Sequence, residues 1–486
     1  MNMKEPDIVI IGAGIAGLAT GAQLASEGLC VWLIEQSANV GGYAGGFERK
    51  GYHFDIGAHH IGGFKSGDVI DRLLYKLNVR EKIEVIYSDP IQAIYGEERI
   101  NIPFSLNKLQ EVLIDNFPKY TVNIKKLMDD LKSFSTALVQ NDQHRIASFF
   151  RMWSGKTFAE YVLSIIPNKK VLGILSALGP GYGGISANGS AFTLASLLAS
   201  YNEGAYYVKG GTYKLSKLLM EEIEKRGGRL LNNTKVEQIM TEGSQVVGVK
   251  VKNINDEFDT IKTKTVVSAI SIKQTYNMLN PNDVNSRFGQ RLKQLDIGPS
   301  ALRLYVTLSS NYNPEVSDIS YFPSWDAENW DNDLCYRSQL HQGKALPITL
   351  TCFPTKVDST LAPDNGHIML MTILTREGFY SDDRTEINRL LEIAEFITPG
   401  MNSYITDIEL ATPNTFKKYT LNDEGSVFGW ERTPIQSLRT NALKASTGVN
   451  GLFITGQWGP NFGVYGGFLE AETVSEKIVN EFEGVK

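Results

Sequence analysis

The stretch 7-DIVIIGAGIAGLAT-20 decides the fold. Its four consecutive β-branched residues, Ile8 to Ile11, read as a short buried strand. Gly12-Ala-Gly14-Ile-Ala-Gly17 follows at once, and a helix-compatible run continues to Ser26. Strand, glycine turn and helix in that order predict a dinucleotide cradle. Gly12 permits the tight turn, Gly14 lets the backbone approach a pyrophosphate, and Gly17 lets helix and strand pack closely. The helix N-terminus then presents unpaired N–H groups and the positive end of its dipole to the phosphates. A second strand, 30-CVWLIE-35, ends in Glu35, eighteen residues beyond Gly17. A carboxylate there accepts hydrogen bonds from the ribose hydroxyls and repels a 2′-phosphate.

Moving outward, Gly41 and Gly42 stand six and seven residues after Glu35, as a longer cofactor leaving the sheet requires for close backbone approach. Then come 53-HFDIGAHHIGG-63, with two adjacent histidines, and a helix followed by a strand pair within 210–240. Near the end, 451-GLFITGQWGPNFGVYGGFLEAETVSEKIV-479 reads as a strand, a turn at Gly456 and a helix opened by Gly467. The N-terminus of that helix would favour negative charge on a reduced cofactor by a fraction of to about 2 kcal/mol.

Composition excludes several classes. The chain has 486 residues, more than one simple core holds, so two domains are expected. A net charge of -6 without a basic cluster argues against a nucleic-acid partner. Three cysteines, Cys30, Cys335 and Cys352, have neither CxxC nor metal-ligand spacing, so no disulfide framework and no metal site are expected, and the setting is read as reducing. Lys4, Glu5 and Asp7 interrupt the start, so no signal peptide is expected and a cytoplasmic location is predicted. No uninterrupted apolar run is long enough to span a bilayer. Residues 171–202 carry no charged side chain, and "GPGYGG" at 179–184 divides them into two segments, read as buried helices that wall an apolar substrate tunnel; a peripheral membrane contact is the competing reading. "GPGYGG" lacks a preceding strand and is no second dinucleotide site. No Ser-His-Asp triad, zinc motif or Walker loop is visible.

These motifs, in this order, resemble the amine oxidase-like flavoproteins, and within them the phytoene desaturase, carotenoid isomerase and retinol saturase group. The likeness is densest at 7–63, 204–240 and 451–479. It implies an α/β fold: a Rossmann-type, glutathione reductase-like FAD-binding domain (1–75, 204–275 and 446–486) with an inserted α+β substrate domain (76–203 and 276–445). It implies FAD, whose ADP half is held by Gly12, Gly14, Gly17, Glu35, Gly41 and Gly42, with adenine against the backbone of Val236. Gly456, Gly466 and Gly467 would lie along the flavin, as would the loop Gly57-Ala58-His59-His60. The function implied is hydride transfer at flavin N5 to or from C–C or C=C bonds of an apolar polyene or isoprenoid-like substrate, as desaturase, saturase or isomerase. The electron partner is left among O2, a quinone and a reduced nicotinamide.

For the chemistry, His59 and His60 are candidates for proton donor or flavin hydrogen-bonder, with one of the two expected only to fix the loop. Arg303, in 300-SALRLYVTL-308, falls where the amine oxidase branch places a lysine near N5; the alternative is a sheet-edge arginine. Tyr465, with Trp458, is either part of an aromatic cage or ordinary packing. The run 317-SDISYFPSWDAENWDNDLCY-336 is read as a lid over the cavity mouth or a plain surface loop. An amine or amino acid oxidase is the second functional reading, since "GGFLEAE" is close to that branch and Arg303 would clamp a carboxylate. A non-catalytic flavoprotein is the third. The first insertion reads as helical, with Leu106, Leu109, Leu113 and Phe117 in one helix, Ile124 to Leu138 in a second, and a Thr157/Glu160 capping box opening a third. The second insertion reads as a sheet built from "ALRLYVTL", "ALPITLTCF" and "HIMLMTIL".

Overall fold

The computed structural model describes residues 5–88, 90–284, 286–330, 346–378, 383–443, 448–459 and 461–484. Ile8–Ile11 is the central strand of a five-stranded parallel sheet in the order Leu452–Ile454, Thr265–Ser268, Ile8–Ile11, Val31–Ile34, Arg229–Leu231. All four of its residues are buried, as expected of an uninterrupted apolar run in a parallel sheet. The helix Ile15–Ser26 follows the glycine turn, and the helices Tyr213–Lys225 and Gly463–Gly484 pack against it. The last helix begins at Gly463, four residues before the predicted start at Gly467. The strand pair after residue 230 is one part of a three-stranded antiparallel sheet, Thr234–Glu242, Gln245–Asn253 and Phe258–Lys262.

A second, seven-stranded sheet has the order Ile405–Ala411, Ser300–Leu308, His367–Thr375, Thr349–Cys352, Asp318–Phe322, Ile91–Tyr95, Glu98–Ile102. The three predicted strands are in it, but the first insertion also contributes its last two. The lid reading of 317–336 is corrected here: Asp318–Phe322 is a fully buried strand between Thr349–Cys352 and Ile91–Tyr95. Residues 331–336 of that run, Cys335 included, lie outside the described residues, as does position 446. The sheet-edge alternative for Arg303 also falls, because Ser300–Leu308 is paired on both sides.

The helices Leu106–Asn116, Thr121–Val139 and Phe158–Ile165 form where the apolar spacing places them, and Thr157 and Glu160 make the reciprocal capping box. Residues 171–202 contain three helices rather than two segments, Lys169–Ser176, Leu178–Gly183 and Ala191–Ser200. Pro180 falls in the first turn of the middle one, where its missing N–H breaks no helical bond. Among the described residues no helix is long and apolar enough to cross a membrane.

Candidate active site

One large cavity runs from the glycine turn to the helices of the first insertion. At the nucleotide end it is lined by Gly12, Gly14, Glu35, Gly41, Gly42 and Val236. The helix Ile15–Ser26 begins there with Gly14 as N-cap and no side-chain cap, so its first amides stay free for an anion. A Cβ on Gly14 would meet no protein atom within 4 Å, whereas one on Gly17 would stand 2.2 Å from the Gly12 carbonyl oxygen. Gly14 therefore faces open space that a cofactor fills, and Gly17 stands behind it, holding helix to turn. Glu35 accepts hydrogen bonds from the Ala13 amide (2.8 Å) and from Ser37 N and Oγ (2.9 and 2.8 Å), which fixes its carboxylate at the cavity edge. Free amides, an open glycine face and an oriented acid are what the ADP half of FAD requires, so the residues fit the group.

Gly456 and Gly466 line the middle of the cavity. Gly467 does not; a Cβ there would lie 3.3 Å from that of Ala16, so it permits close packing of the two helices rather than opening one. The Trp458 ring is buried against Trp430, 4.9 Å away and near perpendicular, with its Nε1 donating to Asn422 Oδ1 at 3.3 Å. Tyr465 reaches the cavity, but its hydroxyl donates to Asp68 at 3.2 Å.

The loop Gly57-Ala58-His59-His60 crosses the middle of the cavity and is held at its carbonyls. Tyr305 donates to Ile56 O (3.0 Å), Arg303 Nη1 to Gly57 O (2.9 Å) and Tyr201 to His60 O (3.0 Å). Just before the loop, the buried Asp55 accepts from Tyr207 (2.7 Å) and from Thr212 N and Oγ1 (both 2.8 Å). Arg303 thus lines the cavity and also anchors the loop.

The histidines meet a partner that sequence reading missed. Asp318, 1% exposed on its buried strand, lies with Oδ2 2.7 Å from His60 Nε2 and Oδ1 3.4 Å from His59 Nε2. Cys352, directly opposite Asp318 across the sheet, places Sγ 2.9 Å from His59 Nε2. Burial raises the Asp318 carboxyl, but the two imidazoles overcome it and hold the group well below the usual carboxylate range, so it is ionised. Burial lowers His59 below its ordinary value, and His60 and Arg303 add to this against the pull of Asp318. Burial raises the Cys352 thiol, with Asp318 adding to it, so the thiol stays protonated. The atoms of His59, His60 and Asp318 that suit a metal lie within 4.8 Å of one another, a convergence that spacing in the sequence does not show. The one signal was an acid opening a short run of strand-forming residues, Asp-Ile-Ser-Tyr-Phe.

Beyond the histidines the cavity is walled by Leu138, Gly181, Tyr182, Ser196, Leu197 and Ser200. Among the described lining residues the charged side chains are Glu35, Lys235 and Arg303, the first two at the nucleotide end.

A parallel βαβ cradle at one end of a cavity and a second sheet with an apolar helical wall at the other define an FAD-dependent oxidoreductase. The chain belongs to the family described as flavin containing amine oxidoreductase, whose model matches residues 15–479. Its relatives include all-trans-retinol 13,14-reductase of Danio rerio, 25% identical over 98% of this chain and 86% of the relative. Prolycopene isomerase of Daucus carota is also 25% identical, over 87% of this chain and 72% of the relative. Among solved structures, an oxidoreductase from Methanosarcina mazei superposes with a TM-score of 0.66 at 17% identity, covering 96% of this chain and 99% of the other. Putrescine oxidase bound to putrescine gives a TM-score of 0.64 at 13% identity, covering 98% and 99%. These two likenesses are of fold.

Proposed function

We propose that this enzyme acts on C–C or C=C bonds of an apolar polyene or isoprenoid-like substrate, as a desaturase, saturase or isomerase. The observation that carries the reading is the unequal lining of the cavity. Its nucleotide end carries Glu35 and Lys235, while the far arm is aliphatic, aromatic and hydroxyl-bearing, with Arg303 and the histidines between them. An apolar chain is stabilised in such an arm by roughly 25 cal/mol per Å² of surface buried. An amine cation would find no carboxylate among the described lining residues there. Retinol and prolycopene, named for the relatives above, are substrates of this chemical kind.

In this reading residues 1–75, 204–275 and 446–486 bind FAD, with Val236 against adenine and Gly456 and Gly466 along the flavin. FAD, when bound, supplies two-electron hydride exchange at N5. The chain's own residues do the rest. The apolar arm aligns the substrate and excludes water, Arg303 sets a fixed positive charge beside the loop, and His59 exchanges the proton that accompanies the hydride. The electron partner is O2, a quinone or a reduced nicotinamide, and a substrate of this kind would be drawn from a membrane surface touched peripherally.

The test is anaerobic photoreduction followed by addition of all-trans-retinol or a cis-polyene. Flavin reoxidation with a saturated product, or geometric isomerisation of the polyene by the reduced enzyme, is expected. Peroxide release with simple amines, and no response to polyenes, would overturn the reading in favour of an amine oxidase.

A further inference from the structure

Two adjacent imidazoles lie in the cavity wall, and nothing in their sequence says which one takes part in the chemistry. Their surroundings separate them. His60 Nε2 is 2.7 Å from Asp318 Oδ2, while its Nδ1 is buried without a protein partner. An N–H left unpaired in that position costs about 1 to 3 kcal/mol, so the proton belongs on Nε2, donated to the carboxylate, and Nδ1 stays bare. His59 Nε2 has Cys352 Sγ as its hydrogen-bond partner at 2.9 Å and Asp318 Oδ1 3.4 Å away without hydrogen-bond geometry, which leaves Nδ1 as the nitrogen free to serve the cavity that His59 lines. The groups facing His59 are Asp318 and Cys352 from two neighbouring strands, Arg303 from a third, His60 from its own loop, and the Tyr182 ring, 5.8 Å away.

We infer that Asp318 is the positioning residue of this site: it holds His60 Nε2 by a hydrogen bond and sets its charge beside His59 Nε2, so that His60 is a static clamp and His59 Nδ1 is the atom that exchanges a proton with the substrate. The inference rests on the polyene reading above. In the desaturation direction the substrate gives a hydride to FAD and the proton of the adjacent carbon to His59 Nδ1. In the saturation direction the same nitrogen returns the proton as the hydride comes back, so atoms and electrons balance in both. A carboxylate in this place does what a triad carboxylate does: it sets the tautomer and orientation of the imidazole without itself changing protonation state.

The experiment uses the FAD-loaded full chain and its Asp318→Asn, Asp318→Glu, His59→Gln and His60→Gln variants. The readout is the rate at which all-trans-retinol reoxidises the photoreduced flavin, against pH and retinol concentration. Asp318→Asn is expected to lower the limiting rate at least about 100-fold with unchanged retinol affinity, and to move the pH profile to lower pH. Asp318→Glu should restore part of the rate, His59→Gln should abolish the pH-dependent limb, and His60→Gln should weaken it without removing it. An Asp318→Asn protein with wild-type FAD content and a wild-type profile would overturn the inference, as would a profile that survives His59→Gln and is lost in His60→Gln.

If the wild type answers to no polyene, the reading of function fails first, and ¹⁵N-histidine spectra then decide the inference alone. Asp318→Asn must shift the imidazole ¹⁵N signals of two of the six histidines; no shift refutes it. A stoichiometric transition metal in the purified protein, whose removal by chelator moves those same two signals, would refute it as well, because the cluster would then be a ligand set.

Discussion

Gly14→Val should weaken FAD binding in a protein that still folds. At Gly14 the backbone is extended (φ -68°, ψ 170°), a conformation any residue adopts, and a Cβ there meets no protein atom within 4 Å. The cost to folding is therefore about 1 kcal/mol or less, the difference between glycine and valine at an N-cap. The three added carbons instead enter the space where the pyrophosphate must approach the backbone. Overfilling a fitted site costs about 1 to 3 kcal/mol, which weakens FAD roughly 5- to 150-fold. Gly17→Val is the contrast: its Cβ would stand 2.2 Å from the Gly12 carbonyl oxygen, a backbone atom, so the turn itself must move and the fold fails. Flavin-to-protein absorbance after desalting, FAD titration of the apoprotein and its thermal unfolding separate the two. A Gly14→Val protein with wild-type FAD affinity, or one that unfolds as Gly17→Val does, would refute the assignment of the cradle.

Two further outcomes follow from the site. Acid should destabilise the protein in two stages. The lowered His59 is neutral in the fold while its unfolded counterpart takes up a proton, so stability falls as pH drops below about 6.5. The lowered Asp318 adds stability that is complete above the ordinary carboxylate range and is lost as pH falls below about 4. Thermal melts from pH 8 to 3 should show both stages, and Asp318→Asn should remove the lower one. Tyr465→Phe should lose about 1 kcal/mol of stability and keep FAD and turnover, because its hydroxyl is engaged by Asp68 and the ring is what faces the cavity; a tenfold fall in turnover would return the hydroxyl to the chemistry.

What could be read from the sequence was local. The run Ile8–Ile11, the glycines and Glu35 sit within thirty residues of one another, and each owes its place to backbone sterics or strand burial that neighbours determine. The helices at 106–116 and 121–139 were equally legible, because one apolar face repeats at helical spacing. Asp318 was not: its bond to His60 spans 258 residues and depends on a sheet whose strands arrive from both insertions. The aromatics beside it suggested a lid, yet the segment Asp318–Phe322 is a strand buried on both faces. The start of the last helix was misplaced because Gly467 read as the residue that opens it, whereas close contact with Asn461 and Ala16 is what excludes a larger side chain at 466 and 467.

The edge of the parallel sheet sets an order of events during synthesis. Thr265–Ser268 has Ile8–Ile11 on one side and Leu452–Ile454 on the other, and the helix that covers Ile15–Ser26 ends at Gly484. A nascent chain that has emerged only through residue 440 therefore carries an open strand edge and an uncovered apolar helix face, both of which favour wrong partners. The cradle closes only when Leu452–Ile454 and Gly463–Gly484 have joined it. Cofactor capture is thus a late step, and chains truncated before Leu452 should accumulate as flavin-free aggregates rather than as weakened enzymes.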